Sequence, residues 1–548
     1  MGKLVKGFLI FFAAVVTLVI AAVIIIPLVV DVNDYKPEIA AAVKDNTGRT
    51  LTIDGDLSLS VFPWLGVSTG KIMLSNAPGF VEKSFAVIGE SEIKVKLLPL
   101  LSKEVEVSTV VLKGLELNLA KNKDGVSNWD DLAKPSEAQP VAEQAKPAPE
   151  EESATDSGTS ALAALAIGGL VIENSQISWD DQQSEQHAVV KDFNLRLGAV
   201  AFNKPIAIKL SFAVDSESPA VNEQLSLSTT LVIDETLQKI QLTPLNIDST
   251  TKGEMLSGGE VSLSVRSDVA IDLQQQKIRL TQLKVDTTAK GGVVPESEVV
   301  AHLQSDISAD LQLQQFQLTQ FKLESTTKGK IVPGGLLEAQ LLSDIALDLK
   351  QQTVALKGLK LNTNLLNLSG DINVTQLSSD LHYAGAIQIG LFNPRAVLAK
   401  LQIDAPETTD SQVLKQLAIN FKLQGTADSV ALENLQLALD STQIKGYARV
   451  NQFSKPAIAF DLAIDDIDVD RYSAPKKASE APAPVVTPAT AAAAATTLIP
   501  METVRSPDIN GKLSIGKLKV AQLKMAGVNL TIQAKQGVVK TRQSIKQL

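Results

Sequence analysis

Residues 278–285 read IRLTQLKV, with apolar side chains at Ile278, Leu280, Leu283 and Val285. The same eight-residue template recurs at a fixed spacing of 38 residues. It stands at 240–247 (Ile240, Leu242, Leu245, Ile247), at 316–323 (Phe316, Leu318, Phe321, Leu323) and at 354–361 (Val354, Leu356, Leu359, Leu361). The flanks keep the period: Ser267-Asp268, Ser305-Asp306 and Ser343-Asp344 on one side, Lys252-Gly253, Lys290-Gly291 and Lys328-Gly329 on the other. A fixed period with matching flanks marks stacked units, none able to bury its apolar face alone.

Alternation keeps one face of a strand apolar, but the template holds two residues in its middle instead of one. The extra residue would turn every later side chain to the other face unless a β-bulge absorbed it. Middle pairs such as Thr243-Pro244, Lys357-Gly358, Lys113-Gly114, Glu433-Asn434 and Gly516-Lys517 suit a bulge. Out of phase, the template returns at Val110/Leu112/Leu115/Leu117, Val430/Leu432/Leu435/Leu437 and Leu513/Ile515/Leu518/Val520. The expected fold is mainly β: an elongated, curved, repetitive antiparallel sheet, trough- or groove-like, with few short helices. No long helix with an apolar stripe separates the strands, so the apolar face is covered by the sheet curling on itself or by something apolar from outside. At about three strands per repeat and ~4.8 Å per strand, four repeats extend the sheet by roughly 55–60 Å.

Upstream, Leu51, Ile53, Leu57, Leu59 and Val61 alternate with polar residues as strands do. Before them DYKPEIAAAVKDNTG reads as one short helix, with Pro37 in its first turn and Asn46 to Gly48 stopping it. Phe8 to Val30 carries no charge, and as a helix this run is roughly 34 Å long, enough to span a bilayer core. Lys3 and Lys6 precede it and Asp31 and Asp34 follow, so the N-terminus is expected in the cytoplasm and the body on the other side. The run is longer than the apolar part of a cleaved leader and ends without an Ala-x-Ala-like site, which argues for a retained anchor.

Residues 134–160 and 473–506 are rich in Pro, Ala, Glu, Ser and Thr and read as disordered linkers. The chain is therefore expected to divide into a cytoplasmic stub and anchor (1–31), a β region with one short helix (32–133), the first linker (134–160), a repetitive β body (161–472, its 38-residue repeats over about 229–366), the second linker (473–506) and a C-terminal β segment (507–548). That last segment stops in what reads as mid-strand, as a truncated product would.

Composition narrows the function. Aromatic residues are only 4% of a chain that is 45% hydrophobic, which suits long, shallow packing of Leu, Ile and Val. The net charge of −10 argues against nucleic acid as a partner. With no cysteine, neither a disulfide framework nor a thiolate metal site exists. His187, His302 and His382 stand far apart without metal-ligand spacing, and no nucleophile elbow is present, so neither an enzyme nor a cofactor is called for. The acidic run Asp461, Asp465, Asp466, Asp468 and Asp470 lacks the glycine and glutamate of a calcium loop and reads as the polar face of a strand. The glycine pairs at 258–259, 291–292 and 334–335 lack a following Lys-Ser/Thr and read as turns. Trp64, in Phe62-Pro63-Trp64-Leu65, is the candidate for a membrane-interface position.

Several segments together carry a family resemblance: the anchor, NDYKPEI, TGRTLTIDGDLSLSVFPWLGVSTGKIMLSNAPGF, GLELNLAKNKDGVSNWDDL and the later IDDIDVDRY. In these the chain resembles the AsmA family of bacterial envelope proteins, closely over about 1–133 and by repeat style beyond. The resemblance implies a single-pass inner-membrane protein with a periplasmic body, engaged in outer-membrane biogenesis, including lipopolysaccharide levels and porin assembly. Larger relatives look like bridge-type lipid transporters with an apolar groove. The expected ligand is membrane phospholipid, lying against the sixteen template residues named above, with outer-membrane assembly factors as further partners. The alternative expectation is a scaffold or regulator of outer-membrane protein assembly that conducts no lipid.

Overall fold

The computed structural model of the chain describes residues 31–60, 65–95, 107–132, 168–217, 219–475, 508–535 and 538–547. The expected anchor at 8–30, Trp64 and nearly all of the two Pro/Ala-rich segments lie outside these residues. Among the described residues no helix is long and apolar enough to cross a membrane. The chain divides into two compact units, the first ending at Asp272 and the second beginning at Leu273.

In the first unit, Asp31 accepts the N–H of Asn33 and opens a 3-10 turn that leads into α1 (Lys36–Thr47). Pro37 lies in the first turn of α1, and Gly48 stops the helix at φ 72°, a left-handed conformation that a Cβ would strain. Twelve strands follow: β1 (Leu51–Ile53), β2 (Ser58–Ser60), β3 (Leu65–Thr69), β4 (Ile72–Ser75), β5 (Ser84–Val95), β6 (Val107–Lys121), β7 (Leu170–Asp181), β8 (Gln186–Leu197), β9 (Ile206–Glu217), β10 (Ala220–Ile233), β11 (Lys239–Gly253) and β12 (Gly259–Asp272). One edge of β5 pairs with both β3 and β4, and its other edge with β6. From β6 onward the strands are neighbours in chain order.

The second unit continues in chain order with β13 (Lys277–Lys290), β14 (Ser297–Asp310), β15 (Gln315–Gly329), β16 (Leu336–Asp348), β17 (Thr353–Thr363), β18 (Asn367–Thr375), β19 (His382–Phe392), β20 (Leu417–Thr426), β21 (Ser429–Leu439), β22 (Thr442–Asn451), β23 (Ala457–Asp468), β24 (Asp508–Val520), β25 (Leu523–Lys535) and β26 (Val538–Ser544). Two short helices interrupt it: α2 (Pro394–Lys400) between β19 and β20, and α3 (Val469–Tyr472) after β23. β13 and β26 do not pair with each other among the described residues, so the ladder of this unit does not close.

Two expectations need correction. The sheet is mixed: β6 runs parallel to β7 and β23 runs parallel to β24. Neighbouring parallel strands need a long return connection, and these two pairs are the ones joined by the long segments 122–169 and 469–507. Each 38-residue repeat also contributes two strands of about 14 residues, as β13 and β14 do, not three. A longer strand with a bulge in its middle uses up the period.

The bulges lie where the template has its double step. Register shifts fall between Leu242 and Leu245, Leu280 and Leu283, Leu318 and Phe321, Leu356 and Leu359, and Leu432 and Leu435. The second middle residue is left-handed in Gln282, Gln320, Gly358 and Asn434, with φ between 51° and 61°. Such a residue takes up the extra length and returns the next side chain to the original face.

Candidate functional site: an apolar face across each unit

Directly paired residues in a ladder share a face, so the register shows where each template side chain lies. In the second unit Val285 begins a row that runs Leu303, Leu323, Leu341, Leu361, Leu368, Ile389, Ile419, Leu437, Ile444, Ile464, Ile515 and Val528. Thirteen strands each supply a Leu, Ile or Val without a break. At ~4.8 Å per strand the row is about 58 Å long. From β13 to β17 the rows of Ile278 and Leu280 are also apolar throughout, with Phe316, Val354, Leu318 and Leu356 among their members. Leu283, Phe321 and Leu359 form the row between, facing Ser305, Ser343 and Gly370. All twelve template residues of this unit therefore lie on one face.

The first unit repeats the pattern. Ile240 pairs with Ile233 and Ile271, Leu242 with Leu231 and Val269, and Leu245 with Ser267. Ile247 belongs to a row of seven aliphatic residues: Leu112, Ile172, Leu195, Leu210, Leu227, Ile247 and Val265. The template residues of this unit also share one face.

The opposite face is polar. One residue along from the Val285 row, the same strands present Lys284, Gln304, Lys322, Leu342, Lys360, Ser369, Gln388 and Asn420. His302 sits on that face with its Nδ1 at 2.5 Å from Asp286 Oδ1. Among the described residues no group of His, Asp and Glu is placed to hold a metal ion.

At two glycines of the apolar rows an aromatic ring fills the gap. A Cβ on Gly511 would lie 2.1 Å from the Phe460 ring, and one on Gly425 would lie 2.4 Å from the Tyr383 ring. The pairs Phe460–Gly511 and Tyr383–Gly425 thus keep the surface apolar and even. Most of the face is only half-buried; Leu283, Ile387, Leu435, Ile515, Ile532 and Ala534 are among the buried points of this unit's rows. No second sheet and no long helix among the described residues lies over it. The four rows span about 23 Å along the strands, so the apolar band of this unit covers roughly 1,300 Å² of sheet.

The segments that carry the family resemblance converge at two places that pattern reading did not reveal. At the first, Arg49 is 2% exposed and grips Asp131 in two hydrogen bonds, Nε to Oδ2 at 3.0 Å and Nη2 to Oδ1 at 2.5 Å. Its guanidinium lies 4.5 Å from the Phe85 ring centre. The Arg49 hydrogen bonds hold the Asp131 carboxyl below its ordinary pKa. Beside it the fully buried Asn128 accepts the N–H of Ala120 and donates to Asn76 and to the carbonyl of Asn118. At the second, each side chain of Asp470-Arg471-Tyr472 in α3 holds a different loop. Asp470 accepts the N–H groups of Ala521 and Gln522 in the β24–β25 turn, at 2.6 and 2.9 Å. Arg471 pairs with Asp410 at 2.8 Å, and the Tyr472 hydroxyl donates to Asp440 at 2.8 Å. Burial pushes the Asp440 carboxyl upward, but the N–H groups of Leu414, Lys415 and Gln416 and the Tyr472 hydroxyl together hold it below its ordinary value. The signal for both clusters was in the quoted motifs; their meeting in space was not.

The model of the AsmA family matches residues 1–544. Protein AsmA of Escherichia coli (strain K12) is 28% identical over 125 residues, a stretch that makes up 23% of this chain and 20% of that relative. The chain thus spans about a fifth of the length of the curated relative it matches. No solved structure matches it. With the family model covering nearly its whole length and the quoted motifs meeting at two built clusters, the chain belongs to the AsmA family.

Proposed function

We propose that this protein binds phospholipid on its apolar face and conducts it in outer-membrane biogenesis, anchored in the inner membrane by residues 8–30 with its body in the periplasm. The observation that carries the reading is the unbroken row from Val285 to Val528. A row of aliphatic side chains about 58 Å long is much more than one small ligand requires, whereas acyl chains can lie against any part of it. The mechanism is passive: hydrocarbon leaves water for the face, and neighbouring positions of similar chemistry allow the molecule to shift along it. No nucleotide-binding motif is present in the sequence, so directional energy comes from outside the chain.

The test is mass spectrometry of lipid retained by the purified chain, beside variants Leu318→Glu and Leu356→Glu that keep the native circular dichroism. Near-stoichiometric phospholipid in the native chain and its loss in the folded variants is the expected result. Equal lipid in all three, or a lipid-free native chain, would instead favour a scaffold for outer-membrane protein assembly.

A further inference from the structure

The aliphatic rows do not fill the face from rim to rim. In the second unit the row after Val285 reads Thr287, Ala301, Ser325, Ala339 and Thr363 across β13 to β17. One step further Thr327 lies between Val299 and Leu337. These hydroxyls share the template's face because they continue its alternation in the repeat, as STT at 325–327 and TTA at 287–289 show.

The first unit has the same edge, built independently. Ser249 and Thr251 occupy the corresponding repeat positions, and Thr251 pairs with Glu223. Glu223 is the one charged member of a row that is otherwise aliphatic, apart from Thr251, from Leu117 on β6 to Val261 on β12. Ser249 Oγ donates to Glu223 Oε1 at 2.5 Å, and Thr251 Oγ1 donates to Oε2. The carboxylate is therefore held in place on the face instead of swinging out to solvent. Hydrocarbon gains little against hydroxyls and a carboxylate, whereas ester, glycerol or amine groups can hydrogen-bond there.

We infer that a diacyl lipid on this face has a set polarity: its polar group lies over the hydroxyl edge, at the Lys328-Gly329 end of β15, and its acyl chains cross the aliphatic rows toward Phe316 and Val354. The inference rests on the lipid reading above. Dimensions fit it, since the aliphatic band is about 23 Å deep and an acyl chain occupies about 15 Å of one bilayer leaflet. Exposed apolar side chains stand at both edges, Leu311 and Leu349 at one and Val293 and Ile331 at the other, so they give no direction. The hydroxyls occur at one edge only of the repeats.

The test uses the full chain with two synthetic phospholipids, one carrying a diazirine at the acyl terminus and one carrying it in the head group. Cross-linked positions are read by peptide mass spectrometry. The acyl label is expected around Phe316–Leu318 and Val354–Leu356, and the head-group label around Ser325–Lys328. In the double variant Ser325→Ala/Thr327→Val, the head-group label should spread along β15. Head-group label at the Phe316 end, both labels distributed alike, or no effect of the double variant would overturn the inference while leaving lipid binding intact. No cross-link to the face at all would remove the lipid reading itself, and the inference with it.

Discussion

Asp344 on β16 reaches across to β15, where its Oδ1 accepts the backbone N–H of Gln320 at 2.8 Å. Gln320 is the left-handed residue of the bulge in β15, so the carboxylate ties down the one N–H that the ladder leaves over. Asp306 does the same for Gln282 at 2.7 Å, and Asp371 for Gly358 at 2.7 Å. Pro244 at the matching place has no N–H to offer. Next to Asp306 and Asp344 is a nearly buried serine: Ser305 Oγ donates to the Thr319 carbonyl at 3.1 Å and Ser343 Oγ to the Lys357 carbonyl at 3.2 Å. The Ser-Asp pair of the repeat thus holds two bulges, the aspartate the one on the strand before and the serine the one on the strand after.

Replacing Asp344 by Ala should therefore loosen one bulge while leaving the unit folded. The bond is to a charged acceptor but exposed, so about 1 kcal/mol is the expected loss. In a structure stacked strand by strand the effect stays local. Hydrogen exchange should quicken at Gln320 and Phe321 with β22 to β25 unchanged; uniform quickening, or none, would contradict the clamp.

Asp131→Asn should be among the most damaging single changes in the first unit, because it leaves the charge of Arg49 buried without its partner. For a fully buried pair the loss is about 3–5 kcal/mol; Asp131 is 43% exposed, which reduces the expected loss to about 2 kcal/mol. The folded Asp131 pKa lies below its ordinary 3.8, so this contribution is present above that value and is lost as pH falls through the lower folded value. Acid melts followed by Trp fluorescence should show this step in the native chain and not in the variant; Trp129 lies against Trp179 with ring centres 5.6 Å apart and planes tilted by 41°, and reports it.

Tyr472→Phe removes the hydroxyl that α3 donates to Asp440. Burial first, and then that hydrogen bond, push the Tyr472 pKa up from 10.0 to about 12. Because the folded pKa is raised, the contribution is complete below pH 10 and fades as pH rises toward 12. An absorbance titration of the native chain minus the variant should give a midpoint near 12; a midpoint near 10 would show that the clasp does not form.

Gly511→Ala places a methyl group 2.1 Å from the Phe460 ring. The ring must leave its place, at an expected loss of about 1–3 kcal/mol. Combining it with Phe460→Leu should restore part of the stability in thermal melts, and a fully additive loss would argue against the ring-over-glycine arrangement.

Much of this protein is legible along the chain. Apolar side chains at every second position dictate strands, and the doubled step in Leu280-Thr-Gln-Leu283 dictates a bulge, because both follow from the two-residue period of a strand. The stop of α1 at Gly48 is equally local, since only a residue without a Cβ takes φ 72° without strain. Tertiary structure alone decided what depends on which strands become neighbours. Thirteen residues scattered from Val285 to Val528 form one row only because each strand adopts one register with the next. Arg49 and Asp131 are 82 residues apart in sequence and joined by two hydrogen bonds in space. The parallel steps, the hydroxyl edge and the clasp of Asp470, Arg471 and Tyr472 belong with them. Periodicity specifies which side chains face the same way within a strand; only pairing between strands, paid for by burial and backbone hydrogen bonds far apart in sequence, specifies which of those faces join.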